Sequence, residues 1–342
     1  DSIMDGHQII PDGTGGAIIV WSDSRGSDRD IYAQRIDHDG VIQWTAGGVL
    51  VSGAAGDQSA PVIYPYGGGG AIVAWEDGRN GHTDIYAMRL GDDGSRLWTP
   101  DGIPACWNEP GEQTEPRIVV NSENETFVVW LDTRNGDSDV YANKLSTTGS
   151  LYYTLTGMAI STDCVDAAHA RVAVDGDEGA IFTWRDSRGT DQDVYGQRIN
   201  NSGFIQWTSG GIALCDETND QHTPWVVADG DGGAFLAWMD HRDGNPNIYS
   251  QRVDEAGARL WPSGGLSVCT YGGGNTSQDI VSDGEGGAIV AWQNNRNGDS
   301  DLMISQVSPT GRLWYDRRYM RLGASRNDEG MTSMVPDGSG GT

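Results

Sequence analysis

The 342-residue chain is short of several things, and each shortage closes a class of structure or function. It has no apolar run of 18 residues, so no segment reads as a membrane-crossing helix. No stretch carries a helix-length amphipathic period, so the fold must be read from strands and turns. Basic residues are few: 22 Lys and Arg stand against 49 Asp and Glu, for a net charge of −27. That balance argues against nucleic acid or an anionic membrane surface as partner, and fits work at high ionic strength or beside divalent cations. An initiator Met and a signal peptide are absent. Asp1 already lies in repeat-like sequence, so a processed or excised chain is expected. No GxSxG, HExxH, P-loop or dinucleotide fingerprint occurs.

Cysteine is also sparse, at Cys106, Cys164, Cys215 and Cys269. Three of these fall eight residues after Trp98, Trp207 and Trp261. Equivalent positions in separate repeats should lie beyond the ~7 Å Cα limit for bridging. Buried free thiols are therefore expected, with one bridge through the out-of-register Cys164 as the alternative. The count does not decide the compartment.

What the chain has in abundance is order along its length. A GGAxxxW-type segment ends in tryptophan at Trp21, Trp75, Trp130, Trp184, Trp238 and Trp292, in steps of 54, 55, 54, 54 and 54 residues. A second aromatic follows at Trp44, Trp98, Tyr153, Trp207, Trp261 and Trp314, and a tyrosine lies between at Tyr32, Tyr86, Tyr141, Tyr195 and Tyr249. Met303 takes that place in the sixth copy. Such register means a repeat architecture.

The fifth copy shows the unit. Residues 223–228 are β-prone, and Asp229-Gly-Asp-Gly-Gly233 is a hairpin turn. The apolar run 234–238 is too short for a helix and reads as a strand covered on both faces. A polar loop leads to 248–253, a strand with one wetter face. A second turn leads to a fourth strand over 259–261 and 266–268, broken at Gly264-Gly265. Four short antiparallel strands per copy make a β-propeller blade, which neighbouring blades must cover. The fold class expected is all-β: six four-stranded blades of ~54 residues in one domain, 1–342, with a surplus C-terminal strand. That strand is residues 332–335, whose turn at 336–341 repeats the opening turn at 11–16. Three outcomes follow. The surplus strand begins a further blade of a longer chain, it closes a six-bladed ring beside Ala17–Val20 in place of the N-terminal copy, or it pairs with another molecule through its open edge. Ring closure is the expectation carried forward.

The loop after the second strand reads DxR, placing Arg25, Arg79, Arg134, Arg188, Arg242 and Arg296 at one register. These arginines could bind anionic sugars or carboxylates in bidentate fashion. A feature present in every copy usually serves the fold, and each Arg then ties its loop to an Asp. Oxygen donors at alternate positions, Asn135/Asp137/Asp139 and Asn297/Asp299/Asp301, suit Ca2+ through Asp137, Asp139, Asp299 and Asp301, although no EF-hand is completed. Solvated acidic turns are the plainer reading. Of the histidines, His169 and His222 precede innermost strands and could approach a central channel, whereas His7, His38, His82 and His241 carry no recognisable pairing. Acidic residues are everywhere, and nothing singles out a catalytic pair.

Two resemblances add to this. The turn DxDGxxxW of copy one (Asp37, Asp39, Gly40, Trp44) resembles the Asp-box of sialidases, a structural turn between strands three and four of a blade. The run Trp75-Glu-Asp-Gly-Arg-Asn-Gly81 with Asp84-Ile-Tyr-Ala-Met-Arg89 is similar to TolB-like and archaeal surface-layer propeller repeats and to repeats of large secreted bacterial proteins. The resemblance implies a propeller from an extracellular or cell-surface protein. Its expected role is a non-catalytic scaffold, adhesion or binding module for protein or glycan, and self-association through terminal strands is open to it. The alternative is a glycan-active hydrolase or lyase, or a lectin, with its site at the channel mouth. Fold alone does not choose between them.

Overall fold

The computed structural model describes residues 4–107, 109–269, 274–295, 298, 300–313, 320–322 and 334. The fold is all-β, of propeller type: six four-stranded antiparallel sheets, each ordered as its strands run in sequence. The chain gathers into two compact units, residues 1–162 and 163–342, each holding three sheets. We number the sheets as blades one to six.

Within a blade, the second strand runs through the centre and is covered on both faces. Gly70–Asp77, Thr126–Asp132 and Ala234–Asp240 are buried almost throughout. Trp75, Trp130, Trp184, Trp238 and Trp292 are fully buried, and Trp21 is half-buried. The third strand departs from the alternation expected of it. Asp84–Leu90, Asp139–Leu145 and Asn247–Val253 are nearly continuous in burial. The reason is its tyrosine, which stacks on the tryptophan opposite with ring centroids 6.2–6.4 Å apart in blades one to five. The fourth strand is shorter than expected. In blade five it is Leu266–Cys269 alone, and Arg259 makes only an isolated bridge to Val253.

One glycine shows how tightly each blade is built. Gly102 has φ +85°, and a Cβ there would fall 2.4 Å from Cη2 of Trp75. Gly157, Gly211 and Gly265 stand the same way against Trp130, Trp184 and Trp238. Any side chain at this position would displace the ring that fills the blade.

The four cysteines are free and buried, as expected. Burial pushes the thiols of Cys106 and Cys215 up to about 12, so they are unreactive.

The terminal strands give a mixed outcome. The second strand of blade one, Ala17–Asp23, is paired on one edge by Met4–Pro11 and on the other by Asp30–Ile36. Both edges of Ala17–Val20 are thus filled by their own blade, and three of the four residues on which the ring-closure expectation rests, 332, 333 and 335, lie outside the described residues. Of those four residues only Met334 is described. Its N–H donates to Asp279 at 2.8 Å across 55 residues of sequence. Ile63 in blade two donates in the same way to Gln8 of blade one, at 3.2 Å and the same separation. Met334 therefore follows blade six as a first strand follows the blade before it.

Removing one central ring should cost about 3–5 kcal/mol. Trp75→Ala is expected to lower the urea-unfolding free energy by that amount, and Gly102→Ala to do comparable damage from the opposite side. An effect below 1 kcal/mol in both would contradict the packing described.

Candidate functional site

Two kinds of position make up each repeat, and they behave differently. The first kind is constant. In blades one to five the indole N–H of the central tryptophan donates to the Asp two residues on, at 2.8–3.2 Å. The Arg of the DxR segment binds that same carboxylate, with Nη2–Oδ2 distances of 2.5–2.6 Å. Its guanidinium lies 3.8–4.2 Å over the tyrosine ring. It also donates to the carbonyl just before the ring-facing glycine, such as Asp101 O for Arg79 and Gly264 O for Arg242. Arg25, Arg79, Arg134, Arg188 and Arg242 are thus each bound to their own loop, and Arg296 lies outside the described residues. The Arg25 guanidinium holds the Asp23 carboxyl below its usual range.

Three of the four acids at the expected calcium positions are described. Asp137 is exposed, whereas Asp139 is buried and accepts from Asn135 at 2.9 Å. Asp301 pairs with Arg321, and Asp299 lies outside the described residues. Among the described residues no three His, Cys, Asp or Glu side chains form a cation-holding group. Asn80 donates to Asp84 as Asn135 does to Asp139. Blade four has Gly189 in that place, so Asp193 lacks the amide. Burial, followed by the charges of Asp216, Asp191, Asp186 and Asp220, pushes it up to about 6.

The second kind of position varies, and it clusters. Each first strand carries a β-bulge near its start, seen as a register break at residues 5/8, 59/62, 168/171, 222/225 and 276/279. The bulge holds a residue at positive φ: Gly6 +62°, Ala60 +47°, Glu115 +53°, His169 +55° and Thr223 +48°. A left-handed residue with a Cβ costs of order 1–3 kcal/mol, and bulges re-aim side chains beside functional sites. Two residues after each of these, the strand carries Gln8, Val62, Arg117, Arg171 and Trp225, and Asp279 holds the same register in blade six. Opposite the strand's start, one residue after the tryptophan, stand Ser22, Glu76, Leu131, Arg185, Met239 and Gln293. The blades agree where they must pack and differ around the bulge.

In residues 163–342 this variation brings imidazoles and cations together. His169 and His222 lie inside the first strands Ala168–Val174 and Gln221–Ala228, not before them. His222 meets His241 edge to face, with centroids 5.1 Å apart, and its Nε2 is 3.9 Å from Asp220. Burial first, then His241, Arg185 and His169, hold His222 below the usual imidazole range against the pull of Asp220. It is therefore a neutral base at pH 7. Two residues beyond Thr223, the Arg171 guanidinium lies 4.5 Å over the Trp225 ring. In blade six, burial raises the Asp279 carboxyl even though Met334 and Ile280 donate to it.

Residues 1–162 hold a separate group. Glu76 accepts from the Ser59 hydroxyl at 3.3 Å and from the Glu115 N–H at 2.9 Å. Arg117, whose nearest acids are Glu115 and Glu76, is held below its usual range by burial. His7 and His38 are exposed, and His82 sits 3.4 Å from Asp84. Glu76, Glu115, Arg171, Arg185 and Trp225 were not singled out by motif. The signal was there: comparing the six copies column by column shows where the repeat stops repeating.

No protein-family model and no curated protein sequence matches the chain. Solved structures do match in fold. An ulvan lyase of a polysaccharide lyase family, bound to a glucuronate–sulfated rhamnose unit, is 14% identical with a TM-score of 0.55, over 91% of this chain and 83% of that one. A puromycin hydrolase is 13% identical with a TM-score of 0.58, over 97% of this chain, which spans about half (49%) of that enzyme. A Hadza microbial sialidase is 13% identical with a TM-score of 0.50, over 86% and 63%. The class is thus a β-propeller, shared with several glycan-acting enzymes and not tied to TolB-like proteins.

Asp193 titrates in the folded state near 6 and near 3.8 as a free side chain. The folded state therefore bears the cost of its charge above pH 6 and sheds it as pH falls toward 4. Asp193→Asn is expected to stabilise by about 1–3 kcal/mol at pH 7, with the gain fading by pH 4.5 in urea titrations. An equal gain at both pH values would exclude charge as the cause.

Proposed function

We propose that this chain is a glycan-active protein, working at the bulge ends of the first strands in residues 163–342, with His222 and His241 at the reacting centre. The observation that carries the reading is the asymmetry itself. Two imidazoles in edge contact, one of them neutral by burial, stand where the other blades have Asp, Ser, Thr, Ala, Gly or Asn. Packing does not call for them, and the local backbone is left-handed at His169 and Thr223. A neutral imidazole beside cationic groups is suited to proton transfer. The half-buried Trp225 offers a flat apolar face of the kind sugar rings stack on.

The fold likeness to a polysaccharide lyase and a sialidase supports a glycan as substrate. The likeness of the DxRNGxxDIY segment to surface-layer and TolB-like repeats supports an extracellular or cell-surface setting, as does the net charge of −27. Ca2+ has no assembled ligand set in support among the described residues. A scaffold role would leave the divergence around the bulges without a purpose.

The test is a panel of soluble polysaccharides, assayed for binding and for release of new chain ends. His222→Ala and His241→Ala should each lower the rate at least about 100-fold, the scale of a lost acid–base group, with melting temperatures within a few degrees of wild type. Binding without cleavage would reduce the protein to a lectin. No binding to any polysaccharide, or full activity in both variants, would return it to the scaffold class.

A further inference from the structure

We propose that Arg185 seats an anionic group of the bound glycan, a carboxylate or a sulfate ester, so that the ligand is an acidic polysaccharide. This rests on the glycan reading above and adds the substrate's charge to it.

This acidic protein holds most of the arginines on its blade frame against its own carboxylates. The DxR arginines each hold a carboxylate at 2.5–2.6 Å. Arg35, Arg198 and Arg252, on third strands, each pair with the Asp of their own hairpin turn at 2.8 Å. With 49 acids for 22 bases, an internal partner is easily found. Arg185 has none. Its Nη1 donates to the Gln192 side-chain oxygen at 3.2 Å and its Nη2 to the Asp166 carbonyl at a long 3.4 Å. Its Nε is buried and without a partner. All of its acceptors are neutral. Burying a guanidinium without a counterion is costly, and the fork geometry of Arg is matched by a two-oxygen anion.

Its position sharpens the point. Arg185 sits one residue after the central tryptophan, where the other blades carry Ser22, Glu76, Leu131, Met239 and Gln293. No other copy puts a cation there, so the fold does not need one. The same position faces Ala168 across the strand pair, the residue before the left-handed His169. A small alanine opposite leaves Arg185 the space beside the bulge.

The surrounding charges agree. Arg185 and His169 both act on His222, whose other neighbours are His241 and Asp220. Asp220, 3.9 Å from His222 through one oxygen, accepts the Gln192 N–H on the other at 3.1 Å. Asp191 is bound to the Asn219 N–H at 3.1 Å. Each of these carboxylates thus accepts a backbone amide, and both line a cavity with His241. The Arg185 fork, which no carboxylate holds, is the seat left for a carboxylate or sulfate on a sugar ring, with the His222 imidazole nearby. Because the protein is strongly negative overall, a polyanion gains nothing from its general surface. Selection for an acidic chain has to come from a local seat such as this one.

The experiment compares matched pairs by titration calorimetry on the whole chain: polygalacturonate against its carboxyl-reduced form, and dextran sulfate against dextran. At least one acidic member should bind 10-fold or more tightly than its neutral partner, and which pair shows it tells carboxylate from sulfate. Arg185→Gln should bring that ratio below 3, while Arg185→Lys, which keeps the charge and loses the fork, should fall between. The preference should also weaken as NaCl rises from 50 to 500 mM, a readout that needs no variant and stands if Arg185→Gln fails to fold. Equal binding of acidic and neutral members, or a preference that survives Arg185→Gln, would overturn the proposal and leave the glycan reading intact. Binding of neither member of either pair would overturn both.

Discussion

A single buried carboxylate organises each of blades one to five. Asp77 takes the indole N–H of Trp75, the backbone N–H of Arg79 and the Nε–Nη2 edge of its guanidinium. The guanidinium in turn lies over Tyr86, which stacks on Trp75. Four residues from two strands and a loop thus close one cycle of hydrogen bonds and ring contacts. Each link satisfies a polar group that would otherwise be buried unpaired, which is why the loss of any member would be felt by the rest. The cycle also reaches outward. In residues 1–162 the Arg134 guanidinium touches Cys106 of the preceding blade at 3.3 Å, and in residues 163–342 Arg242 touches Cys215 of blade four at 3.5 Å.

Blade three shows that the frame tolerates change only in compensating sets. Its hairpin turn has Asn121 where blades one, four, five and six have Asp, and its third strand has Lys144 where others have Arg or Gln. Glu125 supplies the missing negative charge to Lys144 and also accepts from the Tyr152 hydroxyl. Lys144 is fully buried, which a lysine sustains only when its ammonium is paired. The ion pair between turn and third strand has moved by a few residues, with its electrostatics intact.

Such a frame frees other positions. Because packing rests on the Trp–Asp–Arg–Tyr cycle and on the glycine beneath each ring, the residues around the first-strand bulge bear little of the load. They are also held in a fixed, strained backbone. Side chains on a rigid element with few packing duties are where chemistry accumulates. In blades four and five those side chains are His169, His222, His241 and Arg185; in blades two and three they are Glu76 and Glu115. The repeat is nearly symmetric in its skeleton and unsymmetric in its chemistry.

Period, strand count and the two-sided burial of the second strand were legible in the bare chain, because aromatic spacing and apolar runs are local properties that the backbone must obey. The arginines' commitment to their own loops was legible as the plainer of two readings, since Asp and Arg stand two residues apart in the DxR segment. The left-handed bulge was not legible. Ala60, Glu115 and Thr223 are not residues that favour positive φ, and only the register of strand against strand forces it on them. Nor was the cluster around Arg185 legible, since His169, Arg185, His222 and His241 are spread over 73 positions with no motif spacing. Their proximity comes from antiparallel pairing within a blade and the packing of one blade on the next. The sequence alone determined what repeats, because packing imposes the same demand on every copy. The tertiary structure alone decided which exceptions to that repeat meet, because distance in space is set by strand register and not by distance along the chain.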